Sequence, residues 1–252
     1  AATASQMTQS QKDFRIALVG CGRISKNHFD AIAKVGGLRL TAVSDTVGER
    51  ARATGEALDV PWFANYEEML KKAHADIVTV ATPSGLHSVQ GIAAARAGKH
   101  VITEKPMAIT LEQADALVEA TDRAGVKLFV VKQNRLNPAI QLLKRAVDKG
   151  RFGRIYMVTI NVFWTRPQSY YDSARWRGTW EFDGGAFMNQ ASHYVDLLDW
   201  LVGPVESVHA YTATLARTIE VEDTGVANIR WRNGALGFAS LARLLGSVAR
   251  TP

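Results

Sequence analysis

The chain has almost no cysteine. Cys21 is the only one among 252 residues, which excludes an intramolecular disulfide framework and a zinc site built from several thiolates. We therefore expect no metal site, and a reducing compartment fits this composition. No apolar run is long enough to cross a bilayer, and residues 1–12 lack the charged start and apolar centre of a secretory signal. The sequence predicts a cytoplasmic protein without a membrane partner.

Long basic tracts, internal repeats and low-complexity linkers are absent as well. The formal net charge is +6, but the basic residues are spread along the chain, which favours an anionic small molecule over a nucleic acid. A nucleic-acid binder stays a distant alternative that salt-sensitive retention of DNA would revive. With 47% hydrophobic residues, the chain can bury the core of one large or two modest domains.

The first half alternates short β-branched runs with helical patterns. The predicted strands are Phe14–Gly20, Leu38–Asp45, Asp76–Thr82, His100–Thr103 and Lys127–Val131. The predicted helices are Ser25–Val35, Val47–Leu58, Tyr66–Ala73, Ser84–Ala97 and Leu111–Ala124, the last opened by a capping box of Thr110 and Gln113. This repeat predicts an α/β domain with a doubly wound parallel sheet, a Rossmann domain that we place at residues 13–132.

The pattern changes after Gln133. The predicted elements there are a helix at Pro138–Lys149, a strand at Ile155–Trp164, a helix at Phe187–Leu201, and strands at Val208–Leu215 and Gly225–Trp231. We therefore expect residues 133–252 to form an α+β domain with a mainly antiparallel open sheet that binds substrate and mediates oligomerisation. Phe238–Leu245 is more typical of a short helix than of a strand.

The segment Gly20–Ser25 follows a predicted strand and opens a predicted helix. In this context a glycine-rich turn indicates a dinucleotide-binding site. Gly20 permits the turn, and Gly22 lets the backbone approach a pyrophosphate at the positive end of the helix. Asp45 lies at the spacing of an acid that accepts hydrogen bonds from the adenosine ribose, and its charge favours NAD over NADP. Arg23 or Arg50 would partly offset that repulsion. An ordinary turn with Asp45 capping the next helix is the alternative.

Removal of a hydride from a carbinol carbon requires a base for the hydroxyl proton. Lys105 follows a strand at the ligand-binding edge of the predicted sheet, and Pro106 allows a cis bond after it. On the later predicted helix, Asn189, His193 and Asp196 share one stripe, where His193 could take part in proton transfer and Asp196 could orient its ring. The alternative is that Lys105 is a solvated surface residue and His193 a structural one, as single lysines and histidines more often are.

Three segments together resemble the glucose-fructose oxidoreductase and inositol dehydrogenase (Gfo/Idh/MocA) family from about Phe14 to Trp231: GCGRIS at Gly20, Glu104-Lys105-Pro106, and Gly184–Asp196. Further segments resemble its UDP-N-acetyl-2-amino-2-deoxyglucuronate dehydrogenases in particular. They are Gln133–Arg135, Phe163–Pro167, Trp176–Trp180 and Met188–Gln190. This resemblance implies an NAD-dependent oxidoreductase that oxidises the C3 hydroxyl of UDP-N-acetylglucosaminuronate to a ketone, for the O-antigen of bacterial lipopolysaccharide.

The resemblance also implies roles for individual residues. Lys105 is expected to be the catalytic acid/base and His193 its catalytic partner. The expected cofactor-binding residues are Gly20, Gly22, Arg23, Ile24, Asp45, Thr82, Pro83, His87, Glu104 and Lys105. The expected substrate-binding residues are Lys105, Arg166, Arg175, Arg177, Asn189, Gln190, Ser192 and His193.

Two features fit a uronate substrate. Many sugar dehydrogenases of the family carry Asp where Asn189 stands, and a neutral amide avoids repelling the carboxylate. Arg166, Arg175 and Arg177 are candidates for the carboxylate or the pyrophosphate because a guanidinium binds either one bidentately. Trp164, Trp176 and Trp180 would shape the pocket or pack in the core.

Members of this family continue for several more strands, so we expect the second domain to be incomplete at its C-terminal end, with an unpaired sheet edge. The family also implies a homo-oligomer, either a dimer or a tetramer. Two alternatives stay open. A related aldose or inositol dehydrogenase would not need the UDP group, and a catalytically inactive NAD-binding protein would bind the cofactor without turnover.

Overall fold

In the computed structural model of the chain, residues 13–242 are described. They divide into two compact units. The first extends to Thr82 and includes Val89–Glu104 and Asp115–Phe129. The second contains Pro83–Ser88, Lys105–Ala114 and the chain from Val130 onward. The predicted division between residues 132 and 133 stays a prediction.

The first sheet has six strands in the order β3-β2-β1-β4-β5-β6. They are β1 (Phe14–Val19), β2 (Leu38–Ser44), β3 (Trp62–Phe63), β4 (Ile77–Val80), β5 (His100–Thr103) and β6 (Leu128–Val130). β1 pairs in parallel with both β2 and β4, and β4 pairs in parallel with β5. The predicted doubly wound sheet is therefore confirmed, and the strand order changes direction between β1 and β4.

The connecting helices follow the predicted ranges to within a few residues. They are α1 (Ser25–Lys34), α2 (Gly48–Leu58), α3 (Tyr66–Lys72), α4 (His87–Arg96) and α5 (Leu111–Arg123). Ser84–Leu86, predicted as the start of α4, forms a separate 3-10 turn. The central strands bury most of their apolar side chains, with Val78, Val80 and Val101 at 1% exposure or less, as expected for a parallel sheet covered on both faces.

The second unit is built around a four-stranded mixed sheet in the order β7-β10-β9-β8. Its strands are β7 (Met157–Phe163), β8 (Val205–Ala213), β9 (Thr224–Trp231) and β10 (Leu236–Ala242). β9 is antiparallel to β8 and β10, while β10 is parallel to β7. The helices are α6 (Pro138–Asp148), α7 (Gln168–Asp172), α8 (Gly185–Asn189) and α9 (Ser192–Val202). The predicted α+β architecture with a mainly antiparallel sheet is confirmed.

One predicted element is wrong. We expected a short helix at Phe238–Leu245, but Leu236–Ala242 is strand β10, and residues 243–245 lie outside the described residues. β10 lies between β7 and β9 and hydrogen-bonds to both. Ala239 and Leu241 are buried, at 8% and 2% exposure, and Phe238 lies on the opposite face. The sequence pattern missed this strand because apolar residues occupy both of its faces.

Candidate active site

Gly20 directly follows β1 and has a backbone φ of +96°, a conformation that favours glycine. A Cβ at this position would lie 2.6 Å from the Ala81 carbonyl oxygen and 2.9 Å from the Thr82 amide nitrogen. These atoms follow β4, so the chain leaving β1 touches the chain leaving β4 at the point where the strand order changes direction. Ligands of open α/β sheets bind at this position.

The start of α1 has the properties of an anion site. Ile24 occupies the N-cap position, and its side chain has no acceptor for the first helix amides. Gly22 is exposed, and a Cβ there would meet no atom within 4 Å. Ser25 is buried, and its hydroxyl donates to the Gly22 carbonyl oxygen at 2.6 Å. The buried side of the turn is thus fixed by Ser25, while its solvent-facing side is open. Arg23 is also exposed on the turn, so an anion can approach the start of the helix.

Asp45 directly follows β2 and is 6% exposed. Its carboxylate accepts from the Cys21 amide at 2.9 Å and from the Val47 amide at 2.8 Å, and Arg50 lies 3.2 Å away. The acid therefore ties the glycine turn to Val47, the residue before α2, while α2 itself begins without a side-chain cap. A role with the ribose stays a prediction. Burial raises the pKa of the Cys21 thiol to about 11, which disfavours the thiolate form that a nucleophilic cysteine requires.

The other predicted cofactor residues follow β4 and β5. The Thr82 hydroxyl donates to the side-chain oxygen of Gln90 at 2.6 Å, and Pro83 precedes the 3-10 turn. Glu104 is 8% exposed, and its carboxylate lies 2.9 Å from Nε2 of His28. In the second unit, buried His87 contacts the Pro106 carbonyl oxygen through Nδ1 at 2.7 Å.

Lys105 is held by Asn189. Its Nζ donates to the Asn189 backbone carbonyl oxygen at 2.8 Å and to the Asn189 side-chain oxygen at 3.2 Å. The peptide bond from Lys105 to Pro106 is cis. The Ser192 hydroxyl donates to the same backbone oxygen of Asn189 at 3.0 Å. The structure thus brings together three of the predicted substrate-binding residues.

The predicted helix Phe187–Leu201 is interrupted, which corrects the single-stripe prediction. α8 ends at Asn189 and α9 begins at Ser192. Between them the Ala191 amide donates to the Ala186 carbonyl oxygen, five residues back, at 2.9 Å, a wider turn than that of an α-helix. The Asn189 carbonyl oxygen lies at this break, where Lys105 reaches it.

His193 lies in the first turn of α9 and is 7% exposed. Its Nε2 is 3.5 Å from the side-chain nitrogen of Gln133. Both carboxylate oxygens of Asp196 accept from Arg135 at 2.7 Å, so Asp196 anchors this arginine. Gln190, a predicted substrate-binding residue, is 4% exposed at the break between the helices.

Two of the three predicted arginines join a stack with aromatic rings, whereas Arg175 is exposed. The Arg166 guanidinium lies 5.5 Å from the Trp164 ring centre and 5.1 Å from that of Tyr170. The Arg177 guanidinium lies 4.2 Å from Tyr170 and 4.5 Å from Trp176. We call these five residues the arginine stack. Such cation–π contacts hold a guanidinium in place while leaving its in-plane donors available.

The stack has spare donors. The Nε–H groups of Arg166 and Arg177 are buried and have no hydrogen-bond partner within the described part of the chain. The Trp164 ring contacts the Tyr194 ring edge-on, with centres 6.1 Å apart, and Tyr194 follows His193 in the chain. Buried unpaired donors are costly, and an anionic ligand would satisfy them.

Asp183, which is fully buried, lies outside every predicted motif. Its carboxylate accepts from the Gly178 amide at 2.7 Å and from the side-chain nitrogen of Asn189. Burial raises the pKa of Asp183, opposed by these hydrogen bonds and by the positive charges of Arg177 and Lys105. Its position directly before Gly184 was the only sequence signal.

Glu222, buried at 7% exposure, was missed as well. Its carboxylate accepts from the Phe187 amide at 2.9 Å and fills the space beside Gly185, whose φ is +99°. Burial raises its pKa, which the backbone hydrogen bonds lower and the nearby charge of Asp183 raises further. Glu222 therefore holds the start of α8 and, through that helix, the position of Asn189.

Two family models match the chain. Residues 14–132 match the model described as an oxidoreductase family with an NAD-binding Rossmann fold, and residues 140–247 match the Gfo/Idh/MocA C-terminal domain. The chain belongs to the Gfo/Idh/MocA oxidoreductase family. The predicted family resemblance is thus confirmed.

Similar proteins within the family include sugar and inositol dehydrogenases. D-apiose dehydrogenase of Paraburkholderia graminis is 31% identical over 91% of this chain and 60% of its own length. Myo-inositol 2-dehydrogenase of Thermotoga maritima is 30% identical over 91% of this chain and 68% of its own length. The chain therefore spans about two thirds of the length of these relatives.

Two solved structures are more similar. The WlbA dehydrogenase of Bordetella pertussis, in complex with NADH and UDP-GlcNAcA, is 61% identical with a TM-score of 0.92, over 93% of this chain and 72% of that one. The WlbA dehydrogenase of Chromobacterium violaceum, in complex with the same two ligands, is 58% identical with a TM-score of 0.91, over 93% of this chain and 68% of that one. Both structures hold the uronate nucleotide sugar that the sequence resemblance implies as the substrate.

Proposed function

We propose that the protein is an NAD-dependent dehydrogenase that oxidises the C3 hydroxyl of UDP-N-acetylglucosaminuronate to a ketone. The observation that carries the proposal is the connection of the arginine stack to the Lys105 cluster, which consists of Lys105, Asn189, Ser192 and the adjacent His193. One end reaches it through Trp164 and Tyr194, the neighbour of His193. The other end reaches it through Arg177, whose charge acts on Asp183, the hydrogen-bond partner of Asn189. This connection supports a site for anionic groups beside a site for proton transfer.

The glycine turn fits the dinucleotide. Gly20 allows the close approach of the two strand ends, and Gly22 leaves space over the uncapped start of α1. The Asp45 carboxylate at the end of β2 disfavours the extra phosphate of NADP. The chemistry that NAD would supply when bound is acceptance of the hydride that leaves C3. Lys105 follows β5 by two residues, which supports a base close to the nicotinamide end of the cofactor.

The hydroxyl proton goes to Lys105 in this proposal. The two oxygens of Asn189 accept from Nζ, so they stabilise the ammonium formed when Lys105 takes the proton. His193 donates to or accepts from the same hydroxyl and orients it. Hydride leaves the carbon and the proton leaves the oxygen, so the product is a ketone.

The anionic groups of the substrate are assigned to the arginine stack. Arg166 and Arg177 are favoured over Arg175, since their guanidinium groups are fixed by aromatic rings and retain buried unpaired Nε donors. A guanidinium binds a carboxylate or a pyrophosphate with two parallel hydrogen bonds. Asn189 adds no negative charge next to the uronate.

The proposal also covers the domains, the assembly and the cellular location of the enzyme. Residues 13–132 bind NAD and residues 133–252 bind substrate and form a homodimer or homotetramer. An open sheet face with exposed Met157, Phe163 and Leu236 supports this assembly. The enzyme acts in the cytoplasm on a precursor of O-antigen. Among residues 13–242, no helix is long and apolar enough to span a membrane. Light scattering coupled to size-exclusion chromatography tests the assembly.

The test of the activity is NADH formation with a set of sugars. We expect turnover with UDP-N-acetylglucosaminuronate and at least about a tenfold lower kcat/KM with UDP-N-acetylglucosamine, which lacks the carboxylate and one charge-assisted contact. Turnover of free inositol or aldose at an equal rate would instead identify a dehydrogenase that needs no UDP group. Binding of NAD with no turnover of any sugar would identify an inactive NAD-binding protein.

A further inference from the structure

Asn189 bridges two opposite charges. Its side-chain nitrogen donates to the buried Asp183 carboxylate, and its side-chain oxygen accepts from Lys105 Nζ at 3.2 Å. A carboxamide makes both contacts in only one orientation, because its NH₂ group must face the carboxylate and its oxygen must face the Nζ donor. The carboxylate thus selects the orientation of the amide.

Asp183 is itself fixed from the other side. Its second oxygen accepts from the Gly178 amide at 2.7 Å, and Gly178 directly follows Arg177 of the arginine stack. The side chain is fully buried, so its orientation cannot relax into water. The charges that act on it are those of Arg177 and Lys105, and Glu222 is the buried carboxyl group nearby.

We propose that Asp183 is a positioning residue for the reaction: through Asn189 it fixes the Lys105 amine in place and sets the charge that this amine experiences. The inference rests on the proposed function, since the reaction assigns the proton to Lys105. Asp183 has no contact with the substrate in this scheme. It acts through the hydrogen-bonded amide of Asn189, which fixes the position of the Lys105 amine. Its negative charge also favours the positively charged form of that amine.

The pairing also explains why an amide occupies position 189. An aspartate there would place two carboxylates against each other in a buried site, and one of them would have to take up a proton. Exchanging the two residues restores a donor opposite an acceptor, because an asparagine at position 183 donates to an aspartate at position 189. Its oxygen still accepts from the Gly178 amide.

The first test uses the ligand-free full chain, so it does not depend on activity. The extent of Lys105 acylation by acetic anhydride is followed by peptide mass spectrometry against pH. In D183N the loss of the buried negative charge moves the labelling midpoint to lower pH, by about one unit for charges separated by one amide at intermediate dielectric. The control D199N removes an exposed carboxylate on α9 and leaves the midpoint unchanged.

The exchange variant D183N/N189D separates positioning from folding. Its carboxylate faces Lys105 directly, so its labelling midpoint lies at a higher pH than that of the wild type. This measurement tests the proposal even if D183N alone folds poorly. In turnover with UDP-N-acetylglucosaminuronate, D183N shifts the pH profile of kcat in the same direction as the labelling. N189D should lose activity because it places two carboxylates against each other. The kcat of the exchange variant should be about tenfold or more above that of N189D.

An unchanged midpoint in folded D183N, or an exchange variant with a midpoint at or below that of the wild type, would overturn the role of Asp183. These outcomes are independent of the substrate. If the labelling shifts as expected while no sugar is oxidised, the proposed function fails and the link from Asp183 to Lys105 stands.

Discussion

Gly20 and Gly22 lie two residues apart in one turn, yet the structure predicts different consequences for an added methyl group. At Gly20 the new Cβ would lie 2.6 Å from a backbone carbonyl oxygen at φ +96°. Backbone atoms at the ends of two central strands cannot move away cheaply. We expect G20A to cost about 2–4 kcal/mol, from overpacking and an unfavourable dihedral together.

At Gly22 the same methyl group would meet no protein atom within 4 Å. We expect the stability of G22A to stay within about 0.5 kcal/mol of the wild type. The methyl group would occupy the approach to the uncapped start of α1, where the proposed pyrophosphate binds. Loss of one charge-assisted hydrogen bond costs about 1.5–3 kcal/mol, which corresponds to an increase of about 10- to 100-fold in the Kd for NAD.

Thermal unfolding and calorimetric titration with NAD distinguish the two effects. G20A should lower the Tm by about 4–15 °C, and G22A should change the Tm little while weakening NAD binding. A G22A protein that binds NAD as tightly as the wild type would refute the location of the pyrophosphate. A G20A protein of wild-type stability would refute the close contact between the ends of β1 and β4.

Three further predictions concern single positions. In D45N, loss of the charge at the end of β2 should narrow the preference for NAD over NADP by about tenfold, measured as the ratio of the two Kd values; an unchanged ratio would contradict this role. In G237A, the Cβ would collide with the buried Trp231 ring, so unfolding in urea should show a loss of about 1–3 kcal/mol, whereas the control G36A, with open space around it, should be neutral. Burial raises the pKa of Glu222 in the folded state. An acid whose pKa is higher in the folded than in the unfolded state contributes most to stability at low pH, where it is protonated. The stability of the wild type relative to E222Q should therefore fall as the pH rises from about 4 towards neutrality, and a difference that grows with pH would contradict the sign.

Much of the first unit could be predicted from sequence because its signals are local. The predicted helix at Ser25 begins at that residue, since the glycine turn and the apolar spacing agree there. The capping box at Thr110 and Gln113 is present, although the Gln113 side chain reaches the Ile109 amide. The two-residue strand Trp62–Phe63 was missed because so short a run carries no periodicity.

The second unit was harder because its signals are non-local. β10 is defined by strands on both sides of it, which no window of sequence contains. The break between Asn189 and Ser192 is invisible in a pattern that continues with helical spacing across it. Likewise, Asp183 acquires its importance from a lysine 78 positions earlier, through an asparagine that contacts both.

The central claim is that Lys105 takes the proton while the glycine turn holds NAD. The most direct measurement is NADH formation from UDP-N-acetylglucosaminuronate by the wild type, K105A and K71A, together with the Kd for NAD of each. Lys71 is an exposed lysine on α3 and serves as the control. We predict that K105A loses turnover by about a thousandfold or more with a Kd for NAD within about threefold of the wild type, and that K71A matches the wild type in both. Turnover by K105A at the wild-type rate, or equal loss of turnover and NAD affinity, would contradict the claim.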